Sequence, residues 1–261
     1  MKKNIIIVSL VILLIALLGF KMFFIYKESI ALAFMNYDGF EVEGDTIVKY
    51  NKTGGNVVIP KIINGVVITK ISSYAFNDLN IDSVVIPDSI VSIGDYAFAN
   101  NNISRLKIPS SVNYLGEGAF MHNSIVDIEM DSEIVIGNAC FNDNHLERES
   151  AFFLNSNNEL ISYGGLIRGN VVVDNENITV IGEKAFYDVG IVSITLPDSI
   201  IEIKDYAFAK NYLVDVYLPK SLKNISRNTF IDNSYLTNIY VSSEINNILE
   251  YPGVSIIEKY K

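Results

Sequence analysis

The chain has 261 residues, of which 49 % are apolar, and it carries a formal net charge of −10; it is long enough for a sizeable core and too apolar to be a disordered segment. Residues 1–27 hold four lysines and no acid, which leaves 16 basic against 30 acidic groups in the rest; an acidic body repels phosphate backbones and excludes nucleic acid as a partner. The single cysteine, Cys140, excludes an intramolecular disulfide.

The first predicted element is a membrane segment. Residues 5–20 (IIIVSLVILLIALLGF) carry no charge and follow Lys2 and Lys3. Extension through Tyr26 gives a helix of about 33 Å, enough to cross a ~30 Å hydrocarbon layer, with Lys21 able to reach the interface. Residues 1–33 are therefore expected to be an uncleaved N-terminal transmembrane helix or signal anchor. The alternative is a signal peptide cut near Ala33 in the small-x-small stretch Ala31-Leu32-Ala33, which would release a secreted protein.

From residue 40 onward the chain is periodic. A small residue followed by Phe recurs at Phe76, Phe98, Phe120, Phe141, Phe186, Phe208 and Phe230, in steps of 22, 22, 21, 45, 22 and 22. Pro87 and Pro109, and Pro197 and Pro219, repeat the 22-residue step in a second register. A period of this length means a stack of coils that bury their apolar faces on one another. Within each coil, apolar residues fall at positions one, four and six of a strand, as in Ile81, Val84 and Ile86, and proline ends it. A second apolar pair, Ile90 and Ile93, precedes Gly94, which permits a tight bend. The Ala-Phe step is then placed on a short helical turn, and an Asn- or Asp-rich loop leads to the next strand. The fold class expected is a β-rich repeat solenoid with one parallel strand and one short helical turn per coil. The phenylalanines form an interior column, and Cys140 fills an alanine slot as a buried small residue.

Two stretches are expected to form β-hairpins, with turns at Glu43-Gly44-Asp45 and at Asn155-Ser156-Asn157-Asn158. The body accordingly divides into a first hairpin-led module over residues 34–146, a second over 147–243, and a C-terminal tail over 244–261.

The unit I-x-x-I-G-x-x-A-F, a polar turn and then L-x-x-I-x-I-P resembles the BspA-like leucine-rich repeats over roughly residues 40–243. Asp131 and Asp174 stand where proline is expected, and Cys140 and Thr229 where alanine is. The resemblance implies a leucine-rich-repeat protein that is surface-exposed or secreted, concerned with adhesion or host contact, and without catalysis or cofactor.

The residues themselves offer no catalytic set. His122 and His145, the only histidines, fall in polar turns and are expected to be exposed loop residues. Gly116-Glu117-Gly118 lacks the third glycine of a phosphate loop, and Asn142-Asp143-Asn144 lacks the spaced carboxylates of a calcium loop. No acid, base, nucleophile and metal set converges, so an enzyme is only a remote alternative.

The strand face remains. Positions three and five of each strand point outward. With neighbouring strands ~4.8 Å apart, Lys107 faces Glu129 and Arg105 faces Asp127, as ion pairs worth under ~1 kcal/mol each. Tyr217 lies beside Tyr240, and with Thr195 and Asn238 they make the candidate ligand contact. The function expected is a non-catalytic cell-surface binding or adhesion module that presents this face to a protein or glycan, anchored in the membrane through residues 5–26 with the repeats outside. The alternative is a structural envelope scaffold or spacer with no soluble ligand.

Overall fold

A computed structural model describes residues 37, 39–131, 133–147, 151–165, 169–242, 251 and 253–260. The expected membrane segment, residues 5–26, lies outside the described residues, as does the rest of the expected 1–33 anchor. Residues 39–261 form one compact unit.

One coil shows how the sequence makes the stack. In the strand Ile81–Val85, Ile81 and Val84 are buried while Asp82 and Val85 are exposed; the three-residue step coincides with a bulge, where Gly55 pairs with Ile81 and the next residue, Asn56, with Ser83. Past Pro87 the chain turns over buried Ile90 and enters a second short strand, Ser92–Ile93. Each regular coil therefore contributes two strands, and two parallel ladders climb the stack where one was expected. Ser92–Ile93 lies between Lys70–Ile71 and Tyr114–Leu115 in one ladder; Arg105–Lys107 pairs with Asp127–Glu129 in the other.

The expected helical turn at the Ala-Phe step is not formed, and among the described residues there is no helix of any kind. The hydrogen bonding explains why. An α-helix commits each successive amide to the carbonyl four residues back. Here the amides alternate: Tyr96 and Phe98 donate to Glu117 and Ala119 of the next coil (2.7 and 2.8 Å), while Ala97 and Ala99 close short loops to Gly94 and Tyr96 (3.3 and 3.2 Å). Tyr96 also takes a left-handed φ of 54°, repeated at Tyr74, Gly118, Ala139, Lys184 and Tyr206, and such a residue ends a right-handed helix. Gly94 is needed for space rather than for its φ: a Cβ there would lie 2.5 Å from the Ser73 amide nitrogen of the preceding coil.

The seven phenylalanines are all buried, none more than 2 % exposed. Their rings stack coil on coil, as from Phe76 to Phe98 (4.7 Å, 13°) and from Phe98 to Phe120 (5.2 Å, 4°). Tyr50 of the first hairpin stacks on Phe76, and Tyr163 of the second packs on Phe186, so the hairpins continue the column with their own rings. Cys140 is fully buried in its slot.

A second column was not expected. Three residues after the phenylalanine, Asn101, Asn123, Asn144, Asn211 and Asn233 turn inward. Asn123 is typical: its Oδ1 accepts from the Ile103 amide (3.1 Å), and its Nδ2 donates to the carbonyls of Phe98, Phe120 and Met121 (2.9, 3.1 and 3.2 Å). These side chains bond main-chain groups at the sharp turn, among them the Phe98 and Phe120 carbonyls; the Met121 carbonyl also accepts from the Asn100 amide (3.1 Å).

Both expected hairpins are present, as Phe40–Glu43 with Thr46–Tyr50 and as Phe152–Leu154 with Glu159–Tyr163. A further small hairpin joins Ile62–Ile63 to Val66–Val67.

Candidate binding surface

The strands Asp215–Tyr217 and Asn238–Ser242 run parallel with Tyr217 opposite Tyr240 and Asp215 opposite Asn238. Val216 and Ile239, between them, are buried in the core, which turns the residues on either side outward. The two tyrosine rings stack face to face, 4.4 Å apart and 3° from parallel, and Tyr217 is 45 % exposed. Loss of solvent at the stack, followed by the neighbouring Tyr217 and Asp215, raises the Tyr240 pKa above its ordinary value, so that ring stays neutral in physiological conditions.

Thr195 occupies the corresponding outward position on the strand Ile191–Thr195, next in the stack. An open groove lies here, lined by Thr195, Leu196, Asp198, Tyr217 and Lys220. Asn238 lies one column inward, where its Nδ2 donates to Asp215 (2.7 Å). Three of the four sequence-derived candidates thus share one strip, Thr195 and Tyr217 exposed and Tyr240 half-buried, and the fourth braces its edge.

In the first half of the chain the same face is charged. Lys107 and Glu129 pair at 2.5 Å with about 70 % of each side chain exposed, and Arg105 stands opposite Asp127 in register. Such exposed pairs contribute under ~1 kcal/mol.

His122 departs from expectation. Its side chain is only 24 % exposed and sits between two carboxylates, with Nδ1 2.8 Å from Asp143 and Nε2 3.6 Å from Asp188. Hydrogen bonds to Asp143 and then Asp188 outweigh burial and raise its pKa to about 9, so it is an imidazolium at neutral pH. His145 is exposed, as expected of a loop residue. In the loop Asn142-Asp143-Asn144 both asparagines are buried, and their amide oxygens already accept from main chain, Asn142 from the Tyr163 amide and Asn144 from the Ile125 amide (both 3.0 Å). Among the described residues no three His, Cys, Asp or Glu are grouped so as to hold a metal.

Sequence reasoning missed a second tyrosine pair. Tyr212 and Tyr235, 56 % and 62 % exposed, lie 6.2 Å apart; their 23-residue spacing was the available signal. It also missed the asparagine column, which the recurring F-x-x-N spacing records.

The family model for the BspA type leucine rich repeat region matches residues 60–164 and 169–252, in six copies. Among solved structures, a leucine-rich repeat protein from Eubacterium ventriosum superposes with a TM-score of 0.56 at 17 % identity, covering 75 % of this chain and 55 % of that one. This chain thus spans about half the length of that protein, and at such identity the likeness shows the fold alone. A leucine rich cell surface protein from Faecalibacterium prausnitzii (TM-score 0.38, 17 % identity, 85 % of this chain and 92 % of that one) also matches. So does a leucine-rich repeat protein from Bacteroides ovatus (TM-score 0.41, 16 % identity, 86 % and 76 %). No curated protein matches significantly.

Proposed function

We propose that this chain, which belongs to the BspA-type leucine-rich-repeat family, is a non-catalytic module that binds a protein or glycan through the Tyr217–Tyr240 strip. In this reading residues 5–26 anchor it in the cell membrane and the repeats face outward. The observation that carries the proposal is the tyrosine pair itself. Two parallel rings stand on adjacent strands of the stack, and Tyr217, 45 % exposed, borders the groove shared with Thr195. Aromatic side chains held rigid in this way bring large contact area at little cost in conformational entropy. The groove rim adds a hydroxyl, a carboxylate and an ammonium group for hydrogen bonding, from Thr195, Asp198 and Lys220.

Screening the detergent-solubilised chain against arrayed glycans and extracellular proteins, with wild type and a Tyr217→Ser, Tyr240→Ser double variant side by side, tests the site. Binding lost in the double variant with its circular dichroism unchanged supports it. Equal binding by both proteins places the contact elsewhere, and binding to nothing favours the spacer role instead. Protease added to intact cells tests the topology: cleavage of the repeats is expected, and full protection would place them inside the cell.

A further inference from the structure

The stack has a seam where the second hairpin enters. The ladder that contains Ser92–Ile93 ends at Val135–Ile136, and a separate sheet starts at Phe152–Leu154; on the other face one sheet ends with Asp127–Glu129 and the next starts with Gly169–Val172. The Phe-bearing turns tell the same story. Regular neighbours are joined by three main-chain bonds, as from Gly118, Phe120 and His122 to Asn138, Cys140 and Asn142 (3.0, 2.9 and 2.9 Å). At the seam Ala139 still donates to the Ile161 carbonyl (2.8 Å), but Phe141 donates to the Ser162 hydroxyl (3.0 Å). Asn142 then carries the connection onward. Its Oδ1 accepts from Ser162 and the Tyr163 amide (2.8 and 3.0 Å), and its Nδ2 donates to the carbonyls of Lys184 and Tyr187 (both 3.0 Å).

Two charged contacts reach across the same gap. Glu117 pairs with Lys184 at 2.6 Å, with under a third of either side chain exposed. His122 holds Asp143 on its own side and Asp188 on the far side. These three residues line an open notch with Val189, Val192 and Tyr212. They occupy one recurring place, two residues after a phenylalanine, and all have a left-handed φ between 52° and 56°.

We propose that the seam is a proton-gated joint, in which the His122 imidazolium latches the two runs of coils together and loss of its proton to water loosens them. The groups facing the ring are Asp143 and Asp188; Asp188 in turn feels Lys210, and both His122 and Lys210 keep it ionised. A neutral imidazole has one N–H, so it can donate to only one of the two carboxylates and leaves the other without its counter-charge. Burial opposes the charge on Lys184, but Glu117 more than restores it, so that pair persists through the range in which His122 titrates.

Cys140 supplies a natural reporter. Its thiol is fully buried in the last turn before the seam, where it reacts only when that turn opens. The experiment is thiol labelling of the full chain from pH 7 to pH 10, each rate normalised to the same thiol in urea-unfolded protein. A control places the thiol in the equivalent slot far from the seam, as Ala97→Cys in a Cys140→Ala background. The normalised Cys140 rate is expected to rise about 10-fold or more with pH while the Ala97 probe changes by less than about 2-fold. His122→Asn should label fast already at pH 7 and stay flat; if that variant does not fold, Asp188→Asn should give a faster rate at pH 7 than wild type. Equal rises at both probes, or wild-type rates in the folded variant, would overturn the proposal.

Discussion

Phe98→Ala is the sharpest perturbation of the stack, because its cost depends on where in the column the ring lies. Phe98 is fully buried between Phe76 and Phe120, with rings 4.7 and 5.2 Å away on its two faces. Removing the ring leaves a hole of about 100 Å³ walled by coils that main-chain bonds hold apart, worth ~2.4 kcal/mol at ~24 cal/mol per Å³. The lost transfer free energy adds about 2 kcal/mol, for a total near 4–5 kcal/mol. Phe230 is the comparison. Among the described residues it has one stacked neighbour, Phe208 at 5.7 Å, while Tyr251 meets it edge-on and it borders an open groove. That side can relax and admit water, so Phe230→Ala should cost about 2–3 kcal/mol. Urea unfolding by circular dichroism reads both, with the m-value checked for loss of two-state behaviour, since stacked repeats can unfold in parts. A cost below about 1.5 kcal/mol for Phe98→Ala, or equal costs at the two sites, would refute a cavity closed between coils.

Asn123→Ala should destabilise by roughly 2–3 kcal/mol in the same assay, because it strands the buried Ile103 amide and part of the bonding of two carbonyls. The double change Lys107→Ala, Glu129→Ala should shift the urea midpoint by less than the equivalent of about 1 kcal/mol, and less still at high salt, since the pair is exposed. The melting temperature should depend on pH through His122. Its pKa is raised from 6.5 to about 9 in the folded protein, so its contribution is fully present below pH 6.5 and is lost as the pH rises through 9. Wild type should therefore lose more stability than His122→Asn between pH 7 and pH 10, as read by calorimetry.

The features legible in the sequence were those repeated in every coil. Each Phe of the column recurs at the same step because each fills the same hole, so periodicity alone located the core, the outward strand positions and the Tyr217–Tyr240 pairing. Asp127 and Glu129 flank Ile128, which is only partly buried, and the apolar pattern of that strand (Ile125, Ile128, Met130) did not reveal the weaker packing. The turn was misread because Gly-Asp-Tyr-Ala-Phe has the local look of a helix start; which amides bond to the next coil is decided by the neighbour, not by the local sequence. The Asn-rich loops were read simply as turns because a short polar residue in a loop suits either role, and only the stack shows which carbonyls an amide such as that of Asn123 meets. The position of His122 was hidden for a different reason: its partner Asp188 is 66 residues away, past a hairpin that breaks the period.

The most direct test of the functional account is the affinity of full-length wild type and of Tyr217→Ser, Tyr240→Ser for the strongest binder found among arrayed glycans and extracellular proteins, measured by surface plasmon resonance at physiological salt. The account expects the double variant to bind at least about 30-fold more weakly, the equivalent of ~2 kcal/mol, while Lys107→Ala, Glu129→Ala binds as wild type does. Unchanged affinity in the tyrosine variant, with the fold intact, would contradict it.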